Sequence, residues 1–282
     1  SAGARGGGRL EAGNNVLLSL NPSVLPGYGE RDPLAALLQR FRLSADTGRP
    51  LITEVFGPAG RAVETARPLL AADSDHPIAN AAKGLNTLLP WPIAISERPE
   101  LANARVTVSP LFTLQTSEGV WTEAQWLKVW QTPREQRSMM PDAPRFDSGR
   151  DSRSPSGQAV GDAAERWLVA AAAERFEVGA APQRVVVVGS NSWLIDRVAR
   201  RQVEVDGRAV PAYPGNYEFF EAAVMWLANQ DDLIAQSPTA RAVPTVKDLS
   251  AATVSRLRIG VIAGMPALML VIGLAYRIVR GR

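Results

Sequence analysis

Four valines and a glycine, Val185 to Gly189, run directly into Ser190, Asn191 and Ser192. A buried strand ending in a turn of hydroxyl and amide side chains is where an α/β protein often presents a nucleophile or grips a ligand. These three residues are therefore the candidate ligand or partner turn. The sharper alternative is a hydrolase with Ser190 as nucleophile. A nucleophile elbow reads G-x-S-x-G, and Gly189-Ser190 is not followed by the second glycine. A serine nucleophile also needs a base, and the chain has one histidine, His76. Pro77 restricts His76 toward extended backbone, which suits a structural turn histidine. The acidic pairs Asp73 with Asp75 and Asp231 with Asp232 read as turn and helix-end residues rather than metal ligands.

Much of the remaining chemistry is defined by what is missing. The chain has no cysteine, which excludes disulfides, thiolate catalysis, zinc–thiolate sites and iron–sulfur clusters. It has no Walker A motif, no G-x-G-x-x-G and no H-E-x-x-H. A net charge of +3, with no long basic run, gives no reason to expect nucleic acid. The expectation is a protein without cofactor or metal, and not an enzyme.

The elements that must position these residues can be read in order. Residues 1–13 are glycine-rich and polar and read as a flexible tail. Asn15 to Leu20 is a short apolar run, suited to a buried strand of a parallel sheet. A loop follows, then a helix with Asp32 as cap, Pro33 in its first turn and Leu34, Leu37, Leu38 and Phe41 on one face. Strand, loop and helix in that order form the first half of a βαβ unit. Asp46 to Gly48 is a turn, Pro50 to Val55 a strand, Ala79 a helix start, and Val106 to Leu114 a strand with Pro110 at an edge or bulge. Trp121, Trp126 and Trp130 read as packing in an irregular segment, and residues 131–158 as a long loop. Alanines favour helix over Asp162 to Phe176, although Trp167 to Ala173 also suits a buried strand. Gln183 to Gly189 is the clearest strand. A hairpin turning at Asp206-Gly207 follows. Asn216 then caps a helix to Asn229 with Phe220, Ala223, Val224 and Leu227 on one face.

The last stretch sets the context. Residues 239–258 form a linker and juxtamembrane segment. Ile259 to Tyr276 is eighteen residues without a charge, followed by Arg277, Arg280 and Arg282 in a basic tail, 277–282. Eighteen helical residues span about 27 Å, close to the ~30 Å core of a bilayer. The expectation is one C-terminal transmembrane helix, in contact with membrane lipid. Gly260 and Gly264, four apart, would let another helix approach closely. Since the chain opens at Ser1 without a signal pattern, it is expected to be the C-terminal part of a longer product.

Several local patterns occur in one order: VLLSLNPSVLPGYGERDPLAALLQRF (16–41), DTGRPLI (46–52), DHPIANAAKGL (75–85), VVVVG (185–189) and GNYEFFEAAVMWLANQDDLIAQSP (215–238), ahead of the terminal apolar run. With them the chain resembles the GldG-like family, the auxiliary component of ABC-type transport systems known from gliding motility. The resemblance covers about Asn14 to Arg282. It implies an open, mostly parallel α/β sheet, akin to flavodoxin-like and amidotransferase-like layouts, over residues 14–238. It also implies a domain outside the cytoplasmic (inner) membrane of a bacterium, partnered by an ABC permease and ATPase. The family assigns no catalytic residues. It often has acidic residues after the VVVVG strand, where this chain has Ser190, Asn191 and Ser192. It favours strand for Trp167 to Ala173. The function expected is a membrane-anchored, non-catalytic auxiliary subunit; the alternatives are a stand-alone envelope scaffold or an amidotransferase-like hydrolase.

Overall fold

The structure is a computed structural model. It describes residues 14–23, 37–57, 60–71, 74–98, 105–116, 119–133, 136–137, 143–154, 166–177, 179, 181–205 and 207–234. The tail 1–13, the Asp32 cap with Pro33 and Leu34, Asp73, the linker 239–258, the apolar run 259–276 with Gly260 and Gly264, and the tail 277–282 lie outside these residues. Among the described residues no helix is long and apolar enough to cross a membrane.

Ten strands form one curled mixed sheet: β1 (Val16–Ser19), β2 (Leu43–Gly57), β3 (Gly60–Glu64), β4 (Ala66–Ala71), β5 (Thr87–Pro90), β6 (Ile93–Glu97), β7 (Arg105–Gln115), β8 (Val120–Thr122), β9 (Arg166–Phe176) and β10 (Gln183–Val188). Along its main path the order is β3-β2-β6-β9-β7-β4-β5. A separate hairpin joins β11 (Gln202–Val205) to β12 (Arg208–Pro211). The helices that lie wholly among the described residues are α1 (Pro77–Ala82), α2 (Trp126–Gln131), α3 (Asp196–Ala199), α4 (Pro214–Leu227) and α5 (Asp231–Ile234).

The expected open, mostly parallel, flavodoxin-like or amidotransferase-like sheet is not what forms. Among the described residues only β1 and β10 pair in parallel, Val16 with Val185 through Ser19 with Val188. Every other pairing in the sheet is antiparallel. The physical reason is that β9 takes the middle. Its eleven residues pair with β7 along one edge, and its other edge is shared by β10 and then β6. The sequence Arg166–Phe176 is therefore strand, as the resemblance favoured and against its alanine content. Tertiary packing overrides helix propensity here.

Alternation places the core on both faces of the sheet. Val186, Val188 and Ala172 face one cluster with Ile78, Ala79, Phe219, Ala223 and Trp226 from α1 and α4. Val185, Val187, Ala171 and Ala173 face the other, with Leu37, Leu38 and Phe41. A third, smaller cluster holds Trp91, Trp121, Trp126 and Val129 with Ile52, Val63 and Ala143. The expected turn at Asp46 to Gly48 lies inside β2 as an irregularity: pairing with β6 shifts register between Ala45 and Pro50, and Asp46 Oδ1 accepts from Gly48 N–H. Pro110 likewise sits at a register shift in β7. Trp126 and Trp130 are one turn apart on α2 rather than in an irregular segment, and both rings meet Trp91. Trp91 holds a left-handed φ of 53°, uncommon for a bulky side chain.

Candidate functional site

Gly189 follows directly on the end of β10, and the reason for glycine there is steric. Its N–H donates to Val169 O at 2.8 Å, and its carbonyl accepts from Ile93 N–H at 2.7 Å. It thus lies where β10 gives way to β6 along the edge of β9. A Cβ at this position would come within 2.2 Å of Ile93 O and 2.9 Å of Val169 O. The chain then turns through Ser190, Asn191 and Ser192 at the carboxyl end of the one parallel pair, where open α/β sheets gather ligands.

In this fold that end is closed. Ser190 is 0% exposed, and its hydroxyl donates to Pro90 O at 2.5 Å. Ser192 N–H points back at the Ser190 hydroxyl oxygen at 3.4 Å. Trp193, also buried, packs edge-on against Phe219 and donates from Nε1 to Ser19 Oγ at 3.2 Å, over the end of β1. Of the three turn residues only Asn191 is exposed; Ser192 is half-buried and donates from Oγ to Asn191 Oδ1. Ser190 is thus held in a structural bond, and Asn191 with Ser192 is the part open to a ligand or partner.

Asn216 locks the turn from the other side. It was expected to cap a helix, yet Tyr213 takes the cap position and Pro214 opens α4. Asn216 instead lies inside the first turn, 1% exposed. Its Oδ1 accepts from Leu88 N–H at 2.9 Å, and its Nδ2 donates to Leu88 O at 2.9 Å and Trp193 O at 2.7 Å. One amide therefore ties α4, β5 and the turn together, three bonds a carboxylate or aliphatic side chain could not reproduce. Gly215 beside it allows the approach, since a Cβ there would meet Thr87 Cγ2 at 2.4 Å.

His76 is the N-cap of α1, its Nδ1 accepting from Ile78 N–H at 3.3 Å. Its ring stands edge-on to Trp226, 5.0 Å between centroids. Burial is the main cause that lowers its pKa from 6.5 to about 4; nearby Asp231 pulls it up and Arg184 adds to the lowering. The hydroxyl of Ser190 and the imidazole of His76 each have a different partner, and no hydrogen bond joins them. Asp75 contributes its backbone carbonyl to Asn80. Asp231, in the first turn of α5, takes two bonds from Arg184 at 2.8 and 3.1 Å. Arg184 also donates to Glu174 Oε1 and Trp226 O and lies 4.7 Å over the Trp226 ring. Asp232 stands beside Asp231 in α5 and is exposed. No cluster of three metal-ligating side chains occurs among the described residues.

Two features had no expectation attached. Glu123 is 0% exposed, receives Trp121 Nε1–H at 2.9 Å and Gln125 N–H at 2.6 Å, and has its pKa raised chiefly by burial. Asp151, buried too, accepts from Ala124 N–H and Asp147 N–H, so it fastens part of the expected loop 131–158 against β8, where Thr122 bridges Ser152. The partners of Glu123 are two residues away on either side, and Asp151 reaches both the nearby Asp147 N–H and the distant Ala124 N–H, a contact that only the fold brings about. The chain matches no protein-family model, no curated protein and no solved structure.

Proposed function

We propose that the chain is a membrane-anchored, non-catalytic auxiliary subunit of a GldG-like, ABC-type transport system. Its sheet domain would dock on the permease, or bind substrate, outside the bacterial inner membrane. The observation that carries the reading is the charge-free run Ile259 to Tyr276 closed by Arg277, Arg280 and Arg282, behind a large domain. The ordered resemblance from 16–41 to 215–238 supplies the transporter. The closed turn after β10 supports a non-catalytic role, because a buried hydroxyl committed to Pro90 O is neither reachable nor activated. Asn191 is the exposed residue left for a partner there.

The test is purification of the intact protein from native membranes in mild detergent, with identification of what accompanies it. A permease and an ATPase in fixed ratio are expected. Recovery of the chain alone, or with cell-envelope material only, points to the stand-alone scaffold instead. Protease added to intact spheroplasts separates the topologies: cleavage within residues 139–154 is expected, and protection until lysis would put the domain on the cytoplasmic side.

A further inference from the structure

Beside the tryptophan cluster, β2 and β3 carry a cavity of about 250 Å³ lined by Glu54, Arg61, Trp121, Arg145, Phe146 and Arg153. Three guanidiniums face one carboxylate. Arg61 is fixed in place: it pairs with Glu54, and its two terminal nitrogens donate to Ala143 O and Pro144 O. Glu54 is thereby matched to Arg61. Arg145 and Arg153 are exposed and make no hydrogen bond or ion pair with any described residue. The Arg153 guanidinium carbon lies over Phe146, 4.1 Å from the ring centroid, so the group is placed by a cation–π contact rather than by a counter-charge. The backbone that bears these two arginines is held on both sides, by the carbonyls bound to Arg61 and by the Asp151 bonds to Ala124 and Asp147.

We propose that this cavity binds a small organic oxyanion, a carboxylate or phosphate ester attached to a ring or apolar body. Guanidinium forks match the planar geometry of carboxylate and phosphate oxygens. Two like charges brought to one cavity repel each other, and an anion between them removes that cost. Trp121 and Phe146 give an apolar wall for the body that carries the charge. The volume falls below the ~300–1,000 Å³ typical of drug-sized ligands, which selects a single small ring or the anionic end of a longer molecule. This inference uses none of the transporter reading, and either can fail without the other.

Benzoate and phenyl phosphate are suitable probes, with benzamide as the uncharged control, titrated calorimetrically into the full chain at low ionic strength. Saturable binding is expected for both anions and not for benzamide. The double variant Arg145→Gln/Arg153→Gln should weaken anion binding at least tenfold while the chain stays folded with at most a small fall in thermal midpoint, since both side chains are exposed and only the Arg153–Phe146 contact is lost. A second variant, Arg145→Glu/Arg153→Glu, should abolish it. No saturable binding of either anion, equal binding of benzamide, or undiminished binding by the double variants would each overturn the proposal.

Discussion

Gly189 owes its identity to two carbonyl oxygens rather than to a turn. Adding one methyl group puts it inside contact distance of Ile93 O and Val169 O, both backbone atoms that cannot swing aside. Gly189→Ala should cost about 1–3 kcal/mol or more, read as a lowered urea midpoint with unchanged slope. His76 makes a different prediction. Unfolded, its pKa is 6.5; folded, burial holds it to about 4. Between those values the unfolded chain binds more protons, so stability rises with pH across that window and falls as pH drops toward 4. Asn at this position keeps a capping acceptor without a titrating ring. His76→Asn should therefore flatten the stability–pH profile between about 4 and 6.5 relative to the parent, measured by denaturation at each pH. A profile unchanged by the substitution would remove His76 as the source. The hydroxyl of Ser190 and the ring of His76 could be picked out as reactive types from the sequence. That Ser190 is committed to a backbone carbonyl could not, because Pro90 lies a hundred residues away, whereas the partner of His76 is the Ile78 N–H two residues on.

At the scale of elements, α4 shows how a helix can be located and still be turned wrongly. The segment is apolar almost all round, so two faces fit a 3.6 period. Phe220, Ala223, Val224 and Leu227 was the expected inner face. The buried apolar side chains are Phe219, Ala222, Ala223 and Trp226, beside the buried polar Asn216 and Glu218, while Phe220 and Val224 are exposed. Asn216 decides between them: it shares a face with Phe219 and Ala223, and its amide must reach Leu88. Phe219→Ala should cost about 3–5 kcal/mol. Phe220→Ala should cost about 1 kcal/mol or less, both from equilibrium unfolding, and the reverse ranking would contradict this orientation. The strands were easier to find than to pair. β1, β7, β10 and the β11–β12 hairpin stand where apolar runs and turn residues put them. Val185 to Val188 is buried on both faces, as expected of a central strand. Apolar residues on both faces suggest parallel neighbours, but an antiparallel sheet covered on both sides produces the same pattern. Periodicity reports which faces are covered and is silent about the direction of the strand alongside.

For the molecule as a whole, what ties the described residues together is long-range. Local composition made Arg166–Phe176 look helical, and only its neighbours β7, β10 and β6 make it the middle of a sheet. The arginine-lined cavity arises where β2 and β3 meet a segment some eighty residues later. The β1–β10 pair carries the same property furthest. Arg184 N–H donates to Asn15 Oδ1 across 169 residues, and the parallel register begins one residue further in. Closing so large a loop is entropically slow to search, and the reward arrives only when it is complete. A ribosome emitting this chain has therefore released β1 long before its partner exists. The early strand must wait, exposed and adhesive, while the 169 residues up to its partner are made, and any chaperone that holds it has until β10 emerges to let go.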